Sequence, residues 1–315
     1  MNKKTERKKK MTIAVLLVTI TVILLFLSGT AFGAVEKGAG PASAGKQTSS
    51  RTGKADGFAN GAQIGLDDSW QYAEFSEIHE GSAVFYQAKN GRKGKIVAVN
   101  AGHGTKGGES KKTYSHPDKT GKVTGGTNAA GAVKSMCVSS GMTFLDGTRE
   151  AVVTLRMAQI FKEKLLSAGY DVLMIRDGAD VQLDNVARTV IANNCADIHI
   201  ALHWDGDGLS AIKGAFYMSV PDALKNMEPV KSHWQDHEKL GDSLIKGLET
   251  EVPGIKIWNC SGHGRLAEDL TQTSYATIPS VDIELGNQCS RHDDDMLMQE
   301  AAGLLAGVEL FFSSR

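Results

Sequence analysis

Thr148-Arg-Glu-Ala-Val-Val-Thr-Leu-Arg-Met-Ala-Gln-Ile-Phe-Lys-Glu-Lys-Leu-Leu-Ser-Ala-Gly-Tyr-Asp-Val-Leu-Met-Ile175 decides the fold class. Polar side chains recur at Arg156, Gln159, Glu163 and Ser167, a helical stripe, and the remaining face is largely apolar. Gly169 stops this helix, and the apolar run from Asp171 to Ile175 is a strand. Upstream, Ile96-Val-Ala-Val99 has the continuous apolar character of a buried strand. Downstream, Leu183, Val186, Ala187, Val190 and Ile191 trace a second helix, and strand patterns follow at 196–204 and 214–220. A helix from Ser232 carries Leu240, Leu244 and Leu248 inward, and Val281–Leu285 is the last clear strand. Ser290 is expected to cap a final helix whose first turn holds Asp293, Asp294 and Asp295. Strands separated by helices predict an α/β domain, a mostly parallel twisted sheet with helices on both faces. In such a sheet, ligands gather beyond the carboxyl ends of the strands.

With 35 basic and 36 acidic residues among 315, the formal charge is -1. That balance gives no support to a nucleic-acid partner. The amino terminus is different. Lys3, Lys4, Arg7, Lys8, Lys9 and Lys10 precede an almost wholly apolar run from Met11 to Leu27, and Ala31-Phe-Gly33 supplies small residues beyond it. Residues 1–34 therefore read as a signal peptide or a membrane anchor, with the rest of the chain exported to the outer face of the cytoplasmic membrane or the wall space. The Gly-, Ala-, Ser- and Lys-rich stretch 35–66 reads as a flexible linker. The segment 67–94, with Trp70, Tyr72, Phe75, Phe85 and Tyr86, is expected to pack onto the main domain, 95–315, as an entry segment. Cys137, Cys195, Cys260 and Cys289 would lie where disulfides are permitted; they allow three full pairings or buried free thiols, and none has structural-zinc spacing.

Four side chains then stand out. His103 follows an apolar strand in Ala-Gly-His-Gly; Glu150 opens the long helix; His203 and Glu284 each lie at or near a strand end. Glu284 is notable because an unpaired charge closing an apolar strand is costly. Two imidazoles and a carboxylate with a further free carboxylate suit an open catalytic zinc site and point to hydrolysis.

Taken with their surroundings, these residues resemble the zinc-dependent N-acetylmuramoyl-L-alanine amidases. The resemblance spans about Lys95 to Phe312 and rests on Val97-Ala-Val-Asn-Ala-Gly-His-Gly104, on Glu150 leading a helix that ends in Ala168-Gly-Tyr-Asp-Val172, and on Ala187-Arg-Thr-Val-Ile-Ala-Asn193. Ala196-Asp-Ile-His-Ile-Ala-Leu-His203 and Pro279-Ser-Val-Asp-Ile-Glu-Leu-Gly286 complete it. It implies one zinc per chain held by His103, Glu150 and His203, with Glu284 as the catalytic glutamate. The implied substrate is peptidoglycan, cut between N-acetylmuramic acid and L-alanine; the cytoplasmic membrane, through residues 1–34, is an expected partner, and a protein activator is a further candidate. The chain departs from the family's pattern at Asn100, where an aspartate is usual, and at Trp204-Asp205, where Ala-Asn is usual. Asn100, Arg188, Asp205 and His263 are expected beside the ligands or in the substrate cleft. These departures keep two alternatives open: a catalytically impaired wall-binding or regulatory homologue, and a zinc peptidase acting on the stem peptide. The long stretch 104–147, rich in Gly, Lys, Ser and Thr, reads as a mobile loop over the site, a lid or docking surface.

Overall fold

A computed structural model of the protein describes residues 57–258 and 263–315. The expectations for 1–34, for the linker up to residue 56 and for Cys260 lie outside the described residues. Among those described, the strands are β1 (Gln63–Ile64), β2 (Ala83–Tyr86), β3 (Ile96–Ala101), β4 (Lys112–Tyr114), β5 (Lys134–Met136), β6 (Asp171–Met174), β7 (Ile198–Asp205), β8 (Phe216–Ser219), β9 (Arg265–Ala267) and β10 (Ser280–Asn287). The helices are α1 (Glu150–Ser167), α2 (Asn185–Cys195), α3 (Val230–Glu251), α4 (Thr271–Tyr275) and α5 (Asp294–Ser313).

Eight strands form one sheet in the order β1-β2-β6-β3-β7-β10-β8-β9. Its centre, β6-β3-β7-β10, is parallel, as the intervening helices require. β8 follows β7 without a helix and pairs antiparallel with β10. β1 and β2 add an antiparallel edge, so the sheet begins within the stretch read as linker and continues through the entry segment. There Phe85 is fully buried and Phe58 packs on it.

The two faces differ. On one, Val97, Val99 and Ala101, Ile198 to Trp204 at alternate positions, and Val281, Ile283 and Leu285 join the core formed with α1, α3 and α5. On the other, Ile96, Ala98 and Leu173 pack against Ala187 and Ile191 of α2. Among the described residues α5 is the one helix long and apolar enough to cross a membrane; here Leu297, Ala301, Leu304, Val308 and Phe311 are buried in the core. Its cap is Asp293, whose carboxylate accepts from the Met296 amide at 3.2 Å, and not Ser290. Ser290 instead turns back, its hydroxyl accepting the Asn287 amide at 3.0 Å, which closes the turn leaving β10.

The stretch 104–147 is folded rather than a bare lid. β4 and β5 form a separate two-stranded antiparallel sheet, and backbone bonds from Ser115 to Val133 and from Cys137 to Lys111 knit the segment together. Its polar composition is compatible with this order because turns and side-chain bonds, not apolar burial, hold it.

Candidate active site

On the α2 face, the strand positions that alternate with the core become polar toward the carboxyl ends: Asn100 on β3, His203 and Asp205 on β7, Asp282 and Glu284 on β10. Because β7 and β10 are parallel and in register, Glu284 stands opposite His203 and Asp282 opposite Ala201. These residues line a cleft of roughly 530 Å³, walled on its other sides by α2 and by residues 122–142 of the 104–147 stretch, the insertion between β3 and α1.

His103, Glu150 and His203 converge. His103 Nε2 lies 2.9 Å from Glu150 Oε1, His203 Nδ1 lies 3.1 Å from the same oxygen, and the two ring nitrogens are 3.1 Å apart. Two imidazole nitrogens and a carboxylate oxygen turned on one point are the donor set of a zinc site that keeps a position open. The orientation of each is locally enforced. His103 adopts a left-handed backbone, φ 64°, a conformation that is strained outside glycine and is found where a site dictates it. Its Nδ1 is 2.9 Å from the Ser139 carbonyl, an acceptor only, so Nδ1 is placed to donate there and Nε2 is the nitrogen turned on the convergence point. Gly102 allows the His203 ring to lie flat on the backbone, since a Cβ there would come within 2.2 Å of the ring. Glu150 opens α1, accepting the Met142 amide at 2.8 Å on Oε2 and the Trp204 amide at 3.0 Å on Oε1. Burial pushes its carboxyl upward, but the two histidines outweigh this and hold it well below the usual carboxylate range. For His203, burial favours the neutral ring, yet the carboxylates of Asp282 and Glu150 raise it above its ordinary value.

Glu284 faces the same cleft, with Oε2 buried and without a hydrogen-bond partner. Burial first, then the negative charges of Asp282, Glu150 and Asp205, drive its carboxyl well above the ordinary range. A carboxyl whose proton affinity is raised in this way is suited to proton transfer.

The supporting residues divide. Asn100 and Arg188 brace His103: the buried guanidinium donates to Asn100 Oδ1 at 3.1 Å and to the carbonyls of Ala101 at 3.2 Å and His103 at 2.6 Å. Arg188 is therefore no surface residue, and burial lowers it to about 9. Asp205 lines the cleft, paired with Lys213. The Trp204 indole points the other way, into the core beside Phe144, because neighbouring side chains on a strand take opposite faces. His263 does not reach the cleft. It lines a separate depression with Asp242, Ile245 and Arg265, because β9 is the sheet's far edge and its leading end sits over α3. His237 of α3 is buried and accepts the Ser280 amide at 3.0 Å.

Sequence reasoning missed Asp282, whose Oδ2 lies 3.6 Å from His203 Nε2. The strict alternation Ser280-Val-Asp-Ile-Glu-Leu-Gly286 places it on Glu284's face and was the available signal. It also missed Ser139 and Met142, which act through backbone groups and leave no mark in side-chain chemistry.

Comparison with known proteins agrees with this architecture. A family model described as N-acetylmuramoyl-L-alanine amidase matches residues 97–304, well over half the chain. The fold is similar to that of the N-acetylmuramyl-L-alanine amidase Ami1 of Mycobacterium smegmatis, at 18% identity and TM-score 0.57, covering 70% of this chain and 98% of that one. Ami1 of Mycobacterium abscessus gives 20% identity and TM-score 0.53 over 70% and 99% of the two chains. The amidase AmiC2 of Nostoc punctiforme gives 17% and 0.50 over 71% and 100%. Among curated proteins, none matches the sequence.

Proposed function

The chain belongs to the N-acetylmuramoyl-L-alanine amidase family, hydrolases of peptidoglycan, and we propose that it cleaves the amide between the lactyl carbonyl of N-acetylmuramic acid and L-alanine with one zinc per chain. The observation that carries this reading is the convergence of His103 Nε2, His203 Nδ1 and Glu150 Oε1 to within 3.1 Å, with the unpartnered Glu284 carboxyl in the same cleft. His103, Glu150 and His203 would hold the metal. When bound, zinc supplies Lewis acidity, lowering the pKa of a water toward ~7 and polarising the scissile carbonyl.

The chain's own groups do the rest. Glu284 takes a proton from the attacking water and returns it to the departing L-alanine amine, so that one water is consumed and a free carboxylate and a free amine result. Its raised proton affinity suits both halves of that transfer. Asn100 and Arg188 keep the His103 loop aimed, and Asp205 with Lys213 forms the cleft's rim beside β7. The basic and apolar amino terminus supports an exported enzyme retained at the membrane or released into the wall space, its catalytic domain beyond a linker.

The test is digestion of purified sacculi by the zinc-supplemented full-length protein, with mass spectrometry of the soluble fragments. Stem peptides bearing a free L-alanine amino terminus are expected. Peptides cut internally would move the scissile bond to the stem. Absence of any release would favour the wall-binding alternative.

A further inference from the structure

Beside the cleft a buried polar cluster centres on Asp269, between β9 and α4. Asp269 is 1% exposed and belongs to neither the ligand set nor the proton relay. Its Oδ2 meets His116 Nε2 at 3.0 Å and accepts the Val123 amide at 2.8 Å; its Oδ1 accepts the Thr124 amide at 3.0 Å and the Thr124 hydroxyl. Lys122 Nζ donates to its carbonyl, and the Asp269 amide returns a bond to Thr124 Oγ1 at 3.1 Å. His116 is fully buried, and its other nitrogen meets Ser274 Oγ of α4 at 2.9 Å. Every one of His116, Lys122, Val123 and Thr124 comes from the 104–147 insertion, whereas Asp269 and Ser274 come from the body of the domain. A buried carboxylate with this many donors is costly to lose, because each donor is then left without a partner.

The same insertion touches the ligands at its other end. Between Cys137 and Met142 it runs past the convergence point, giving the Ser139 carbonyl to His103 Nδ1 and the Met142 amide to Glu150 Oε2. Gly141 fits between them: φ is 79°, and a Cβ there would lie 2.6 Å from His103 Cδ2 and 2.7 Å from Glu150 Oε2. The two ends are joined without slack. Lys122 bonds Ala132 and Gly131 across its turn, Ser115 bonds Val133, and β5 leads directly into Cys137.

We propose that Asp269 is a positioning residue for the metal centre: it latches the insertion to the domain so that the 137–142 limb orients His103 and Glu150. This rests on the zinc reading above. Groups that fix the orientation of metal-bound histidines are typically worth 10- to 100-fold in metal affinity. The latch also sets the cleft, since Lys122, Gly126, Thr127 and Asn128 line it.

The experiment measures zinc affinity by competition with a chromogenic chelator for the full-length protein and its Asp269→Asn and Thr124→Val variants. Limited proteolysis of 104–147 and melting of the zinc-free proteins accompany it. Asp269→Asn is expected to raise the zinc Kd about ten-fold or more, and Thr124→Val by less, in step with faster cleavage of the insertion. Should Asp269→Asn not fold, Thr124→Val decides alone, since it keeps the carboxylate and most of its donors. Faster cleavage or lower melting with zinc Kd within two-fold of wild type overturns the proposal, leaving a latch that is structural only. A wild-type protein that binds no zinc overturns the zinc reading itself, and this inference with it.

Discussion

On one side of the cleft, β7 and β10 present His203, Asp205, Asp282 and Glu284 from two hydrogen-bonded parallel strands, with His203 and Glu284 directly opposite on one face. On the other, the 104–147 insertion presents Lys122, Ser139, Gly141 and Met142 from turns and a short two-stranded sheet. The strand wall is rigid because apolar residues at alternate positions are buried in the core beneath it. The insertion has little apolar burial of its own. It is held by its own turns, by hydrogen bonds to the body of the domain, several of them to Asp269, and by fits such as Gly141 against the ligands. The strand wall supplies reactive side chains, and the insertion supplies backbone groups that aim them. A catalytic site needs both, because ligands out of place by an ångström lose much of their value.

Several perturbations would break or sharpen this contrast. Removing the metal with a chelator should abolish hydrolysis of peptidoglycan, with recovery on adding zinc; persistence of full activity in metal-free protein would undo the proposed chemistry of both walls. Glu284→Gln should lower kcat by about 10²- to 10⁴-fold while zinc content, read by elemental analysis, stays at wild type. Gly141→Ala carries the contrast to the insertion. By pushing a methyl between His103 and Glu150 it should weaken zinc about 10- to 100-fold, although it alters no ligand; an unchanged zinc Kd would mean that the insertion does not aim the ligands. Asp282→Leu, on the strand wall, is expected to cost less, about ten-fold in zinc affinity, since its carboxylate lies 3.6 Å from His203 rather than in direct hydrogen bond.

The last test concerns acid stability beneath the strand wall and leaves the ligands untouched. His199 and His237 are buried and flank Ser280 at the start of β10. Burial, reinforced for His199 by Arg188 and for His237 by His233, lowers both to about 3. A histidine depressed on folding contributes stability that is complete above its unfolded value, near 6.5, and is lost as pH falls toward 3. Each should therefore steepen the fall by up to about 1.4 kcal/mol per pH unit in that window. Denaturant melts of zinc-free protein at pH 7 and pH 5 check this, and His237→Phe should flatten the slope.

The α/β class, the central strands β3, β6, β7, β8 and β10 with the helices α1, α2, α3 and α5, and the four side chains at the heart of the cleft were legible in the chain itself, whereas β4, β5, β9 and α4 were not. Apolar periodicity reports directly on which face an element buries, and a histidine or glutamate ending a strand is conspicuous against it. The pairing of β8 antiparallel to β10, the burial of Arg188 and His237, the absence of His263 from the cleft and the place of Asp282 depended on which strands became neighbours. The insertion shows the limit most plainly. Its Gly-, Lys- and Ser-rich composition is that of a loose loop, yet Asp269, far along the chain, gathers it into place. Local sequence sets propensities over a few residues, whereas a buried carboxylate finds its donors, and a carbonyl its histidine, only when tertiary packing closes the distance between them.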